Sequence, residues 1–128
     1  MTMSNEEENV GSDWFWSIIA IAQDNRERLR EELLRLDRED LRRFQEEFLD
    51  LAGELTVSPF DAFVEESEDG LTDVAEWVVS QGKDLYQTVR ANPAQIPHTV
   101  EGKGQEILSG VAPSVYEERF GEPWTSTD

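Results

Sequence analysis

Apolar residues recur at helical spacing through most of the chain. After a polar, acidic start at residues 1–11, Trp14, Ile18 and Ile21 fall at i, i+4 and i+7, with Phe15, Ile19 and Ala22 widening the stripe. Ser12 or Asp13 is placed to cap this first helix, and Asp24 or Asn25 to end it. Leu29, Leu33 and Leu36 then mark a second, amphipathic helix whose outer face carries arginine and glutamate. Asp37 caps a third, and Leu41, Phe44, Phe48, Leu51 and Leu55 give it the longest stripe in the chain.

Ser58-Pro59 reads as an N-cap followed by proline at the first helical position, which predicts a short helix to about Glu66 around Phe60, Phe63 and Val64. A turn at Glu68-Asp69-Gly70 leads into a helix carrying Leu71, Val74, Trp77, Val78 and Val79, stopped at Gly82. Lys83–Ala91 continues with Leu85, Tyr86 and Val89. Pro93 and Pro97 then impose a loop over 92–104. The last helix holds Leu108, Val111, Val115, Tyr116 and Phe120, with Pro113 in its first turn and Gly121 as its stop. No stretch alternates as a strand does, and no repeat of 20 to 50 residues is present. The expectation is an all-α, compact multi-helix single domain with short connections and no significant sheet. A disordered acidic tail covers 1–12, the helical domain 13–122, and a C-terminal tail 123–128.

Composition narrows the function classes. The 128 residues carry 29 acids against 11 bases, a formal charge of −18, with one histidine and no cysteine. Disulfides, thiolate metal sites and a cysteine nucleophile are therefore excluded. Such a charge repels nucleic-acid phosphates and anionic lipid, so neither nucleic acid nor membrane is expected as a partner. The apolar run Trp14–Ala22 is too short to span a bilayer, and Glu6, Glu7 and Glu8 ahead of it have the wrong sign for a secretory signal. A cytoplasmic location is the expectation. Seven bases lie between Asp24 and Asp50 among ten acids, whereas from Leu51 to Gly82 there is no lysine or arginine.

Several stretches together resemble the small bacterial family known as domain of unknown function 4240 (DUF4240). They are Phe15-Trp16-Ser17-Ile18-Ile19, Ser67-Glu68-Asp69-Gly70-Leu71, Trp77-Val78-Val79-Ser80-Gln81-Gly82-Lys83 with Tyr86, and Val115-Tyr116-Glu117-Glu118 followed by Phe120-Gly121-Glu122. The likeness spans about Asp13 to Trp124. The chain departs from the pattern at Pro59–Glu66, where the family has an aromatic-rich helix leading into a glycine pair. The resemblance implies a compact helical fold and brings no established activity.

The candidate functional residues follow from charge and aromatic content. Glu65, Glu66, Glu68, Asp69 and Asp73 form the densest carboxylate cluster, but their spacing does not fit the twelve-residue calcium loop. No metal ligand set, cofactor or catalytic residue is assigned. A structural role, in which Ser67 or Asp69 caps the helix of Trp77, competes with any function for these acids. His98 sits in a proline-flanked loop with no nucleophile motif, and Gly102-Lys103-Gly104 lacks the rest of a phosphate-binding loop. Helical spacing puts Trp14 and Trp77 in the core. Trp16 or Trp124, if exposed beside carboxylates, would suit an interface. Arg28–Glu32 and Arg43–Glu47 are set to pair at i, i+4.

The resulting expectation is a small acidic, non-catalytic protein-binding module. It would engage a basic protein through a surface built from residues 54–76, with Glu65, Glu66, Glu68, Asp69 and Asp73 steering and Phe60, Phe63 or Trp16 supplying affinity. An immunity protein, an inhibitor imitating nucleic-acid charge and a regulatory subunit all fit. The alternatives are a carboxylate-dependent hydrolase or metal-binding protein using the Glu65 to Asp73 cluster, and acidity that serves solubility alone. Homodimer formation stays open on this pattern.

Overall fold

The 3-4-3-4 spacing of apolar residues after Asp37 produces the central element of the structure. In the computed structural model, which describes residues 11–64 and 68–124, that stretch is the helix α3 (Arg38–Gly53). Leu41, Phe44 and Phe48 are fully buried along it, as is Leu55 just beyond its end. The other helices are α1 (Asp13–Ala22), α2 (Arg26–Leu33), α4 (Glu68–Gln81), α5 (Lys83–Ala91) and α6 (Val111–Phe120). Short 3-10 turns occupy Phe60–Phe63, Pro93–Gln95 and Gly104–Glu106. Among the described residues there is no strand, and the fold is all-α. The tails expected at 1–12 and 123–128 lie outside the described residues except for 11–12 and 123–124.

Polar caps set where the first three helices begin. The side chains of Ser12, Asn25 and Asp37 accept the backbone N–H of Phe15, Arg28 and Asp40 at 3.2, 3.0 and 2.8 Å. Each satisfies an N–H that the helix leaves open, which is worth about 1 kcal/mol. The Ser12 hydroxyl also donates to Glu47 at 2.9 Å and so ties the start of α1 to α3. Between α1 and α2 the chain reverses through Gln23 and Asp24, both left-handed at φ 49° and 50°.

Helix α3 packs against α4 on one side and α6 on another, while α1 pairs with α2. An aromatic cluster fills the centre, with Phe15 4.9 Å from Phe44 and 6.0 Å from Phe48 between ring centroids. Trp16 lies 5.5 Å from Tyr86. Burial raises the pKa of the Tyr86 hydroxyl, so it keeps its proton and donates to the Leu51 carbonyl at 2.7 Å, joining α5 to α3.

The structure corrects four expectations. The buried face of α1 is Phe15, Trp16, Ile18, Ile19 and Ala22, with Ile21 exposed and Trp14 only partly buried. The segment is so apolar that its period does not select a side; the neighbours do. The Ser58-Pro59 helix is instead the four-residue 3-10 turn Phe60–Phe63, with Pro59 at its cap position and no side-chain cap. Glu68, Asp69 and Gly70 do not form a turn. They are the first turn of α4, so Asp69 is not its cap, and Ser67 lies outside the described residues. Of the two i, i+4 pairs, Arg43–Glu47 forms at 3.5 Å, whereas Arg28 donates to Gln23 and Glu32 faces Arg35 at 3.7 Å.

Candidate interaction surface

Helix α3 ends at Gly53, and the eleven-residue connection Glu54–Val64 carries the chain toward α4. Leu55 and Phe60 enter the core and pin this connection, which also packs on the Pro93–Gln95 turn. Between those two anchors, and again after Phe60, the chain turns side chains outward. Val57 is 55% exposed and Phe63 36%, with Asp61 exposed beside them. Glu54 lies 3.8 Å from Arg90 of α5.

Helix α4 then begins with Glu68 and Asp69, where negative charge is favoured by the helix dipole. Asp73, one turn later, is exposed. It lines an open cleft of about 370 Å³ with Gly70, Val100 and Glu101. The far wall of the cleft belongs to the segment 98–110, a strap laid across α4.

Side chains of α4 clasp this strap. The Ser109 hydroxyl donates to Glu76 at 2.6 Å, and the Trp77 indole N–H donates to Glu106 at 2.9 Å. Ser80 donates to the Glu76 carbonyl and accepts the Leu108 N–H, at 2.8 and 2.9 Å. From α3, buried Gln45 donates to the Ser109 carbonyl at 2.9 Å. Lys103 sits 5.9 Å from the centre of the Trp77 ring.

Burial raises the pKa of the Glu76 carboxyl, the hydrogen bond from Ser109 opposes the shift, and the charge of Asp73 adds to it. Folding is therefore favoured by this group below the carboxyl range of the unfolded chain. That contribution is lost as pH rises through the higher value of folded Glu76. A glutamine at 76 keeps the acceptor for Ser109 and removes the charge. Glu76→Gln is thus expected to raise the thermal midpoint at neutral pH, and the gap to the parent chain should close in acid. A gap independent of pH would refute the account.

The residues expected to bind a partner are distributed unevenly. Asp73 faces solvent. Glu68 and Asp69 stand in the first turn of α4, with their side chains outside the described part, and Glu65 and Glu66 lie outside the described residues altogether. Trp16 and Phe60 are 5% and 7% exposed and belong to the core, so in the folded chain neither presents an aromatic surface. Phe63 remains accessible. Trp124 is partly buried and packed on the core, and His98 is exposed in the strap. Among the described residues no group of three or more His, Asp or Glu side chains could hold a metal ion. Nor is any of their helices long and apolar enough to cross a membrane.

Sequence reasoning missed Val57 and the clasp. Val57 gave no sign of exposure, since Phe60 stands three positions on and Val64 seven, at spacings that read as a continued apolar stripe. The clasp left no signal either, because Glu76 and Ser109 are 33 positions apart.

A family model described as "Protein of unknown function (DUF4240)" matches residues 11–118. No curated protein and no solved structure matches the chain.

Proposed function

Because the chain belongs to the DUF4240 family, whose description assigns no activity, we propose a function from the residues themselves: a non-catalytic module that binds a basic protein through its acidic 54–76 surface. The observation that carries this reading is the absence of any lysine or arginine from Leu51 to Gly82, in a stretch that turns Asp61 and Asp73 to solvent. Glu54 faces Arg90 at 3.8 Å, and the remaining like charge of this region attracts a positively charged partner over several ångströms, speeds encounter and rejects acidic competitors. The arginine-bearing region supports the same division of labour. Its charges are engaged at home, in Arg30–Glu118 at 2.8 Å, Arg38–Glu122 at 3.0 Å and Arg43–Glu47 at 3.5 Å.

The hydrolase alternative needs a carboxyl of raised pKa beside an open space. Glu76 has the raised value, but it is bonded to Ser109, and the carboxylates lining the cleft are Asp73 and Glu101. That arrangement supports a structural role for Glu76 and favours binding over catalysis. Neutralising a toxin, imitating nucleic-acid charge and regulating an enzyme are the biological forms that suit such a surface.

A native extract passed over the immobilised chain tests the proposal. One basic protein should be retained at low salt and released at high salt, because screening weakens exposed charge pairs. It should be lost when Glu65, Glu66, Glu68 and Asp69 are replaced together by their amides. Equal retention by the neutralised chain, or no specific protein at either salt, would overturn the proposal.

A further inference from the structure

We infer that Val57 and Phe63 are the apolar anchor of this surface, and that they receive a basic protein presenting an apolar side chain flanked by lysine or arginine. The inference rests on the binding function proposed above and adds where affinity is generated. Both side chains project from a connection that is pinned rather than loose. Phe60 N–H and Asp61 N–H donate to the Val57 carbonyl at 2.9 and 3.4 Å, Ala62 N–H donates to Pro59 at 3.2 Å, and the Thr56 hydroxyl donates to Gly53 at 2.9 Å. With Phe60 inside the core, Val57 and Phe63 are held in place before any partner arrives, which lowers the ordering cost of association. Single exposed apolar side chains are ordinary. Two of them six positions apart on one pinned connection, with exposed Asp61 between them in a stretch that has no basic residue, supply an apolar element and a defined electrical surround.

Charge selects the occupant. A second copy carries the same −18 and is repelled, and its arginines at 30, 35, 38 and 43 already face carboxylates. Lipid and nucleic-acid surfaces are anionic and are repelled likewise. The other exposed large apolar side chains among the described residues, Ile21 and Leu34, lie beside or within the stretch 24–50, where seven arginines accompany the acids. A positively charged protein is what remains.

The test installs a photo-crosslinking phenylalanine analogue at position 57, 63 or, as a control, 34 of the full chain in native cells. Adducts from 57 and 63 to one basic protein, with none from 34, are expected. The protein so identified, once purified, should bind Val57→Ser and Phe63→Ser about tenfold or more weakly than the parent chain. Val57 is more than half exposed, so its variant keeps the fold even if the Phe63 variant is weakened. Adducts to a second copy or to an acidic protein would overturn the inference, as would unchanged affinity of the Val57 variant. Absence of adducts at 57 and 63, with a salt-released partner still lost from the amide-substituted chain, would overturn the anchor and leave the acidic surface standing. If that partner is absent as well, both readings fall.

Discussion

Replacing Phe44 with alanine is expected to lower the unfolding free energy by about 3–5 kcal/mol, the range for removing a buried aromatic ring. The ring is fully buried, 4.9 Å from Phe15, 6.4 Å from Phe48 and 6.5 Å from Trp14, and it contacts both α1 and its own helix. These neighbours belong to separate, capped helices and cannot all collapse into the gap. Domains of this size are stable by roughly 5–15 kcal/mol, so the loss is a large fraction of the whole. Urea unfolding followed by circular dichroism gives the value. Val57→Ala, at a site more than half exposed, should cost less than about 0.5 kcal/mol in the same assay. Equal costs at the two sites would mean that the aromatic cluster is not the centre of the fold.

The second large effect is expected at Gly82, the single residue joining α4 to α5. Its backbone sits at φ 117°, ψ 172°, a region open essentially to glycine alone. A Cβ there would meet nothing within 4 Å, so the penalty for Gly82→Ala is purely one of backbone conformation, about 1–3 kcal/mol. Gly53 supplies the opposite sign. It ends α3 in helical conformation, a Cβ would again meet nothing within 4 Å, and alanine there should stabilise by about 0.4–1 kcal/mol. The pair of midpoints in urea separates backbone strain from crowding. A neutral Gly82→Ala would show that the α4–α5 joint can be made another way.

These residues also mark how much of the molecule was legible in the chain. Helix α3 was, because Leu41, Phe44, Phe48 and Leu51 alternate with charged residues and only one face is apolar. The caps at Ser12, one of two candidates, and at Asp37 were legible for a local reason, since each bonds an N–H three positions on; Asn25, read only as a break after the first helix, caps the second in the same way. Gly82 was legible as a stop. Helix α1 was not, because an apolar run interrupted only by Ser17 has little preference for one face until α2, α3 and α5 surround it; Trp16 goes inside and Ile21 is left out. The segment after Pro59 misled because Ser-Pro marks helices and tighter turns alike. On the candidate surface, acidity was visible, but which aromatic would be accessible was not. Phe60 and Phe63 are equivalent in composition and are separated only by the direction in which a 3-10 turn points each one.

The clasp has an optical consequence. Trp77 is the tryptophan whose indole N–H is bonded to the strap, through Glu106, with the Lys103 ammonium over its ring. Its emission is therefore coupled to whether that segment rests on α4. One of the chain's four tryptophans thus contributes an emission component that follows the strap's seating.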